Sequence, residues 1–199
     1  MQGKKVPTRQ LGLVLTLDEA TSQRAIELCT QHKKGNVVDL GGRHMPHVTL
    51  YHSKLGHVLE AVVDRFLGDL AAMLPINVSF TEIETFGGKF LFWDTERSEQ
   101  LVMAHEVALG LSKFFIPSGV QQADKEKIFL SPGENLNVQK FGHPLVGKLW
   151  RPHVTLGYFS QGISVKRRLE KFKGRSVGVA FVRVGEAGTV AEVIRCRYI

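Results

Sequence analysis

The chain has 199 residues, 43% of them hydrophobic, enough for one well-buried domain and short for two independent ones. Its 26 Lys and Arg against 19 Asp and Glu give a formal charge of +7, which suits an anionic partner and equally a basic solvated surface. Cys29 and Cys196 stand far apart without metal-ligand spacing, which argues against a disulfide-stapled scaffold, and no charge-free apolar run reaches the roughly 18 residues of a spanning helix.

In chain order, residues 11–17 (Leu-Gly-Leu-Val-Leu-Thr-Leu) are predicted to form a short buried strand. Asp18 and Thr21 offer capping oxygens to a helix with Ala25, Ile26, Leu28 and Cys29 on its apolar side, closed by Lys33-Lys34-Gly35-Asn36. Residues 37–40 read as a short strand, and 41–44 as a loop. The basic start, with Lys4 and Lys5, is followed by no secretory core, so a reducing, cytoplasmic location is expected.

Residues 54–74 show helical periodicity through Leu55, Val58, Leu59, Val62, Val63, Phe66, Leu67, Leu70 and Leu74. Residues 75–86 alternate as a strand, and Gly87-Gly88 turns into a second strand over 89–94. Phe86 and Trp93 there fit either a base-stacking platform or the core. Residues 96–115 read as another amphipathic helix, with His105 as a packing residue. Periodicity then breaks down over 116–149, where Pro and Gly punctuate a long loop and Lys125, Lys127, Lys140, His143 and Lys148 add positive charge. The run containing Lys166, Arg167, Arg168, Lys171, Lys173 and Arg175 suits a polyanion or, more plainly, a solvated helix face. Residues 175–184 and 189–198 pair as a terminal hairpin around Gly185-Glu186-Ala187-Gly188.

This order predicts an α+β (mixed α/β) fold: one domain over residues 1–199, a bilobal pseudo-symmetric sandwich of antiparallel sheets around a central cleft, with helices outside. No Gly-x-Gly-x-x-Gly and no Gly-Lys-Ser/Thr supports a dinucleotide site or phosphate loop.

The chemistry-bearing signal is a repeat. Met45-Pro46-His47-Val48-Thr49-Leu50 returns in the second half as Arg151-Pro152-His153-Val154-Thr155-Leu156, five residues being identical. In a strand the aliphatics of each copy face one side, and His and Thr the other. One His-x-Thr is most simply a structural histidine; two in related half-units can converge on a single cleft. Strict alternation also aims Met45, Tyr51 and Ser53, and Arg151, Gly157 and Phe159, at that cleft, where Arg151 could pair with a phosphate and Tyr51 or Phe159 could stack on a base. His44, His47 and His52 lack carboxylate or thiolate companions, and alternation puts His47 and His52 on opposite faces, so neither metal nor cofactor is expected.

The repeated His-x-Thr, His47-Val48-Thr49 and His153-Val154-Thr155, resembles the signature of the two-histidine (2H) phosphoesterases, a family that includes bacterial RNA 2′,3′-cyclic phosphodiesterases once named 2′-5′ RNA ligases. Trp150-Arg151-Pro152 before the second motif and the Gly-containing stretch 184–194 are similar to the family as well. Where many members continue the second motif to an Arg, this chain has Tyr158, with His52 as its counterpart in the first copy.

The resemblance implies a metal-independent phosphodiesterase acting on 2′,3′-cyclic phosphate ends of RNA or small nucleotides. Its catalytic residues would be His47, Thr49, His153 and Thr155, with His153 as base and His47 as acid; the substrate contacts expected beside them are Tyr51, Arg151 and Phe159 from strand alternation, and Tyr158 where the family's Arg would stand. One neutral and one protonated imidazole can divide a displacement at phosphorus, while the Thr hydroxyls donate to nonbridging oxygens. Two other readings stay open, cleavage of 2′-5′-linked or cyclic oligonucleotide signals and a non-catalytic RNA-binding module. A monomer acting on an RNA or nucleotide partner, away from membranes, is expected.

Overall fold

A computed structural model of the chain describes residues 9–117 and 130–199, Arg9 through its backbone only. The basic residues Lys4, Lys5, Lys125 and Lys127 lie outside the described residues. The first strand, β1 (Arg9–Leu17), sends Leu11, Leu13, Leu15 and Leu17 into the core. Asp18 then caps α1 (Glu19–Thr30) by accepting from the Thr21 N–H at 2.9 Å, and α1 buries Ala25, Leu28 and Cys29.

The strand expected over 37–40 is reduced to isolated bridges, Asn36 to Phe159 and Leu40 to His44. Its backbone is served instead by the Asn36 side chain, whose Oδ1 accepts from the Val38 N–H at 2.9 Å. The helix expected over 54–74 is shorter: β2 (His47–Leu55) runs on to a buried Leu55, and α2 occupies only Glu60–Ala71. Leu55 lies opposite Arg9 in the β1–β2 ladder, so tertiary pairing overrides the helical periodicity.

The hairpin of β3 (Ile76–Phe86) and β4 (Phe90–Thr95) turns at Gly87 and Gly88, whose φ of 57° and 71° a side chain would strain. Next come α3 (Glu99–Leu109), capped by Ser98, and a 3-10 turn over Gly110–Phe114. The patternless 116–149 stretch contains a helix, α4 (Pro132–Phe141). It buries no residue, so it carries no apolar stripe to read, yet Ser131 and Glu134 form a capping box around Pro132 and Gly142 ends it at φ 73°.

After β5 (His153–Tyr158) the basic run proves to be strand rather than helix, the first half of the 19-residue β6 (Lys166–Val184), which pairs with β7 (Val190–Tyr198) at the other end. The fold is α+β, with all strands of the described residues in one antiparallel sheet ordered β2-β1-β6-β3-β4-β5 and β7 on β6. The sheet does not close into a barrel. What was expected as two sheets is joined by β6, which pairs β3 along residues 166–176 and β1 along residues 176–183.

The two strands bearing the repeat, β2 and β5, are the outermost of this order, yet they meet: the Trp150 indole N–H donates to the Thr49 carbonyl at 3.2 Å. The core fills the space between the sheet and helices α1 to α3, and holds Leu13, Leu15, Val48, Leu50, Val154 and Leu156. A smaller cluster of Val14, Ala180, Val182, Val184 and Val190 lies on the opposite face of the first lobe. No described helix is long and apolar enough to cross a membrane.

Candidate active site

Each repeat strand carries one β-bulge at the same place in the motif. Leu13 pairs with Tyr51 and Val14 with Thr49, leaving Leu50 over; Leu91 pairs with Gly157 and Phe92 with Thr155, leaving Leu156 over. The bulged carbonyls are taken by side chains: His105 Nδ1–H donates to Leu50 at 2.7 Å, and the Asn36 amide donates to Leu156 at 3.0 Å. His105 then accepts the Gly147 N–H at its Nε2, 2.8 Å away, and stacks on Trp150 at 4.4 Å, which makes it the packing residue expected from sequence.

The extra residue resets the alternation, because every side chain beyond a bulge changes face. Before it, His47 and Thr49 share the face opposite the core, as do His153 and Thr155. Beyond it, Tyr51 and Phe159, expected in the cleft, are instead in the core. Tyr51 is 2% exposed, with its hydroxyl donating to the Phe141 carbonyl at 2.6 Å. Ser53 and Gly157 turn the same way. In the first copy His52 comes onto the histidine face in their stead, whereas Tyr158, at the matching position of the second copy, is 8% exposed and belongs to the core. His52 lies over Gly12, where a Cβ would sit 2.5 Å from the His52 Cβ, and Tyr158 packs on Phe90 at 4.9 Å. His47 and His52, expected on opposite faces, therefore share one, with Thr49 between them.

Both motif imidazoles are held alike. His47 Nδ1–H donates to the Met45 carbonyl at 2.9 Å and His153 Nδ1–H to the Arg151 carbonyl at 2.6 Å. A carbonyl only accepts, so in each neutral ring the proton sits on Nδ1 and the lone pair on Nε2. Thr49 and Thr155 are half-buried beside them, with no hydroxyl hydrogen bond among the described residues.

Burial pushes the His153 pKa down to about 3, aided by the nearby Arg151 and His47 charges. His47 is also lowered, chiefly by burial, but the carbonyls of Met45 and Gly188 favour its charged form. His52 is held well below the usual imidazole value by burial and then by the charges of His143, His47 and His153. His52 thus feels three other imidazoles, one from its own strand, one from β5 and one from the segment after α4.

Around His153 the second lobe builds a charged frame. Its ring stacks on Phe92 at 3.6 Å, and its cross-strand partner is Asp94. Arg151, expected to hold a phosphate, is directed elsewhere: its Nε donates to Asp94 at 2.8 Å, and its Nη2 reaches Asp94 and, at 2.5 Å, Glu84. Lys166 joins Glu84 at 2.7 Å. Glu82, Glu84 and Asp94 bring their carboxylates within 4.8 Å of one another, a cluster that sequence spacing did not reveal, with Arg151 and Lys166 supplying its countercharge.

Of the two aromatics left open, Trp93 is core, stacked on Phe80 at 3.9 Å, while Phe86 is half-buried beside Phe92 at 5.4 Å. Sequence reasoning also missed Phe92, Asp94 and Glu84, which only strand register places near His153. His52 and His143 were visible as histidines, but nothing local pointed them at the site.

A family model described as the 2′-5′ RNA ligase superfamily matches residues 18–185. Among curated proteins none matches the chain significantly. Solved structures share the fold over nearly the whole chain. The protein TT0787 of Thermus thermophilus has a TM-score of 0.58 at 18% identity, with 95% of this chain and 97% of that one covered. Escherichia coli LigT in apo form has 0.55 at 12% identity, with 97% and 98% covered. LigT complexed with 3′-AMP has 0.52 at 14% identity, with 97% and 95% covered.

Proposed function

The chain belongs to the 2′-5′ RNA ligase superfamily, the 2H phosphoesterases, and we propose that within it this protein is a metal-independent phosphodiesterase that opens 2′,3′-cyclic phosphate ends of RNA or of small nucleotides. The observation that carries the reading is the matched pair of His-x-Thr strands, each with Nδ1 fixed on a carbonyl and Nε2 presented on the face shared with its threonine.

In the proposed reaction, His153 Nε2 takes a proton from water as the water oxygen bonds to phosphorus. The bond from phosphorus to one ribose oxygen breaks, and His47 Nε2–H protonates that oxygen, leaving a phosphomonoester and a free hydroxyl. The order of roles follows the local fields. His153, repelled by Arg151, stays neutral and suits the base, whereas His47 has the Met45 and Gly188 carbonyls to favour its imidazolium. An anionic phosphate between the rings favours the proton that the acid needs. Thr49 and Thr155 donate to the nonbridging oxygens. Both proton roles fall to imidazoles, so turnover is expected to survive chelation. That LigT has been solved with 3′-AMP supports a nucleotide as substrate class.

Single-turnover opening of a nucleoside 2′,3′-cyclic phosphate, with and without chelator, tests the reading beside a parallel assay on 2′-5′-linked dinucleotides. Folded His47→Ala or His153→Ala protein with near wild-type rate would sink it, and loss of turnover in chelator restored by a divalent ion would reverse the metal assignment.

A further inference from the structure

His52 and His143 take no part in the proposed chemistry, yet they are built into its face. Their rings meet edge to face with centroids 4.4 Å apart. His52 Nδ1 lies 3.4 Å from the Gln10 amide nitrogen, and His143 Nδ1 accepts the Leu145 N–H at 3.2 Å. With both Nδ1 atoms acting as acceptors, each neutral ring carries its proton on Nε2. Among the described residues no hydrogen bond engages either Nε2.

The bulge decides where this pair stands. On β1, the partners of Thr49 and His52 are Val14 and Gly12, two residues apart, so His52 follows Thr49 by one pleat repeat, about 7 Å along the strand. Neighbouring phosphates of a nucleotide are separated by a comparable length. Lys54 follows His52 on the same face after one further repeat.

We propose that His52 and His143 form a second anion subsite, next to the His47/His153 pair, that takes a second phosphate of the same substrate, either a 5′-phosphate or the adjoining phosphodiester of an oligonucleotide. The subsite rests on the phosphodiesterase reading for what happens at the first phosphate, but its ligand chemistry stands on its own donors. Two protonated imidazoles so close are stable only with an anion between or beside them; burial, with the His143 charge added at His52 and the His105 charge at His143, holds both rings neutral until one arrives. The selectivity is for substrates that carry two phosphates one nucleotide unit apart over those that carry one.

Calorimetric binding of a nucleoside 3′,5′-bisphosphate and of the matching 3′-monophosphate tests this without turnover. Wild-type protein is expected to hold the bisphosphate about tenfold more tightly or better, and His52→Gln, His143→Gln and the double variant to bring the ratio toward one. Equal affinities in the wild-type protein, or variants that weaken both ligands alike, would overturn it. A dinucleotide bearing a 3′-phosphate separates the two sources: preference for it over the bisphosphate assigns the subsite to a phosphodiester, and the reverse to a 5′-phosphate. Wild-type discrimination accompanied by no opening of any cyclic phosphate would leave the subsite standing and remove the catalytic reading.

Discussion

The two half-sites are copies in backbone and opposites in electrostatics. β2 and β5 share five residues, one bulge, one imidazole-to-carbonyl bond and one side chain under the bulged carbonyl. The surroundings diverge. His47 is 6% exposed beneath the turn that carries Gly188, among carbonyls and the small aliphatic cluster. His153 is half-buried on Phe92 in a frame of Arg151, Asp94 and Glu84. In the proposed reaction the duplicated motif supplies two equivalent proton carriers, and the neighbours that differ would assign them different tasks.

The comparison breaks most sharply at the histidines. His47→Ala and His153→Ala are each expected to lower single-turnover rate by about 10²–10⁴-fold, and the double variant little further, since the two act on one transition state. A single variant that kept near-full rate would make its half-site structural. Thr49→Ala and Thr155→Ala should each cost about 10²–10³-fold, by nearly equal amounts if the halves grip the phosphate symmetrically.

The supports under the two bulges should differ in stability. His105 is 1% exposed, and His105→Leu strips partners from the Leu50 carbonyl and the Gly147 N–H, so urea unfolding should show a loss of about 1–3 kcal/mol for each group left unpaired. Asn36→Ala strips partners from the Leu156 carbonyl and the Val38 and Tyr158 N–H groups, and because Asn36 is only half-buried, water can replace part of what each loses. His105 also adds an acid limb. Its folded pKa is down to about 4 from 6.5, so its contribution is complete above about pH 6.5 and falls away toward pH 4, as the unfolded chain takes up a proton that the native ring refuses. Wild-type stability that stayed flat across this window would contradict a neutral, doubly bonded His105.

The smallest expected change concerns the frame of one half only. Arg151→Gln removes a repulsion from His153, so the acid-side limb of kcat/KM, where the base must be neutral, should move to higher pH, while Arg151→Lys should move it less. A limb that did not move would place the base at His47, whose lowered pKa owes nothing to Arg151. The same change leaves Asp94, 7% exposed, without its main partner; because the pair is partly open to solvent, the stability loss should stay below the ~3–5 kcal/mol of a fully buried one.

Chain order shows which features were legible. Local signals carried β1, the Asp18 cap, the Gly87-Gly88 hairpin, the terminal hairpin and the pairing of two His-x-Thr strands, because apolar period, caps and turn glycines act within a few residues. Helix α4 was legible in its capping box but not in periodicity, since it buries nothing. The contacts of Tyr51, Phe159, His52 and Arg151 were not legible. Strict alternation is the only rule a lone strand offers, and one unpaired residue at Leu50 and at Leu156 inverts it.

By itself, then, the sequence determined that this chain carries two related strands presenting His and Thr on an α+β scaffold, because those features are written in spacings of two, three and four residues. The tertiary structure alone decided that β6 joins both lobes into one sheet, that its outermost strands β2 and β5 meet, and that Asp94 and Glu84 claim Arg151. It also decided that His52 turns onto the face of His47 and meets His143 there. These depend on register and bulges, which are set by how separate segments pair and which no local pattern encodes.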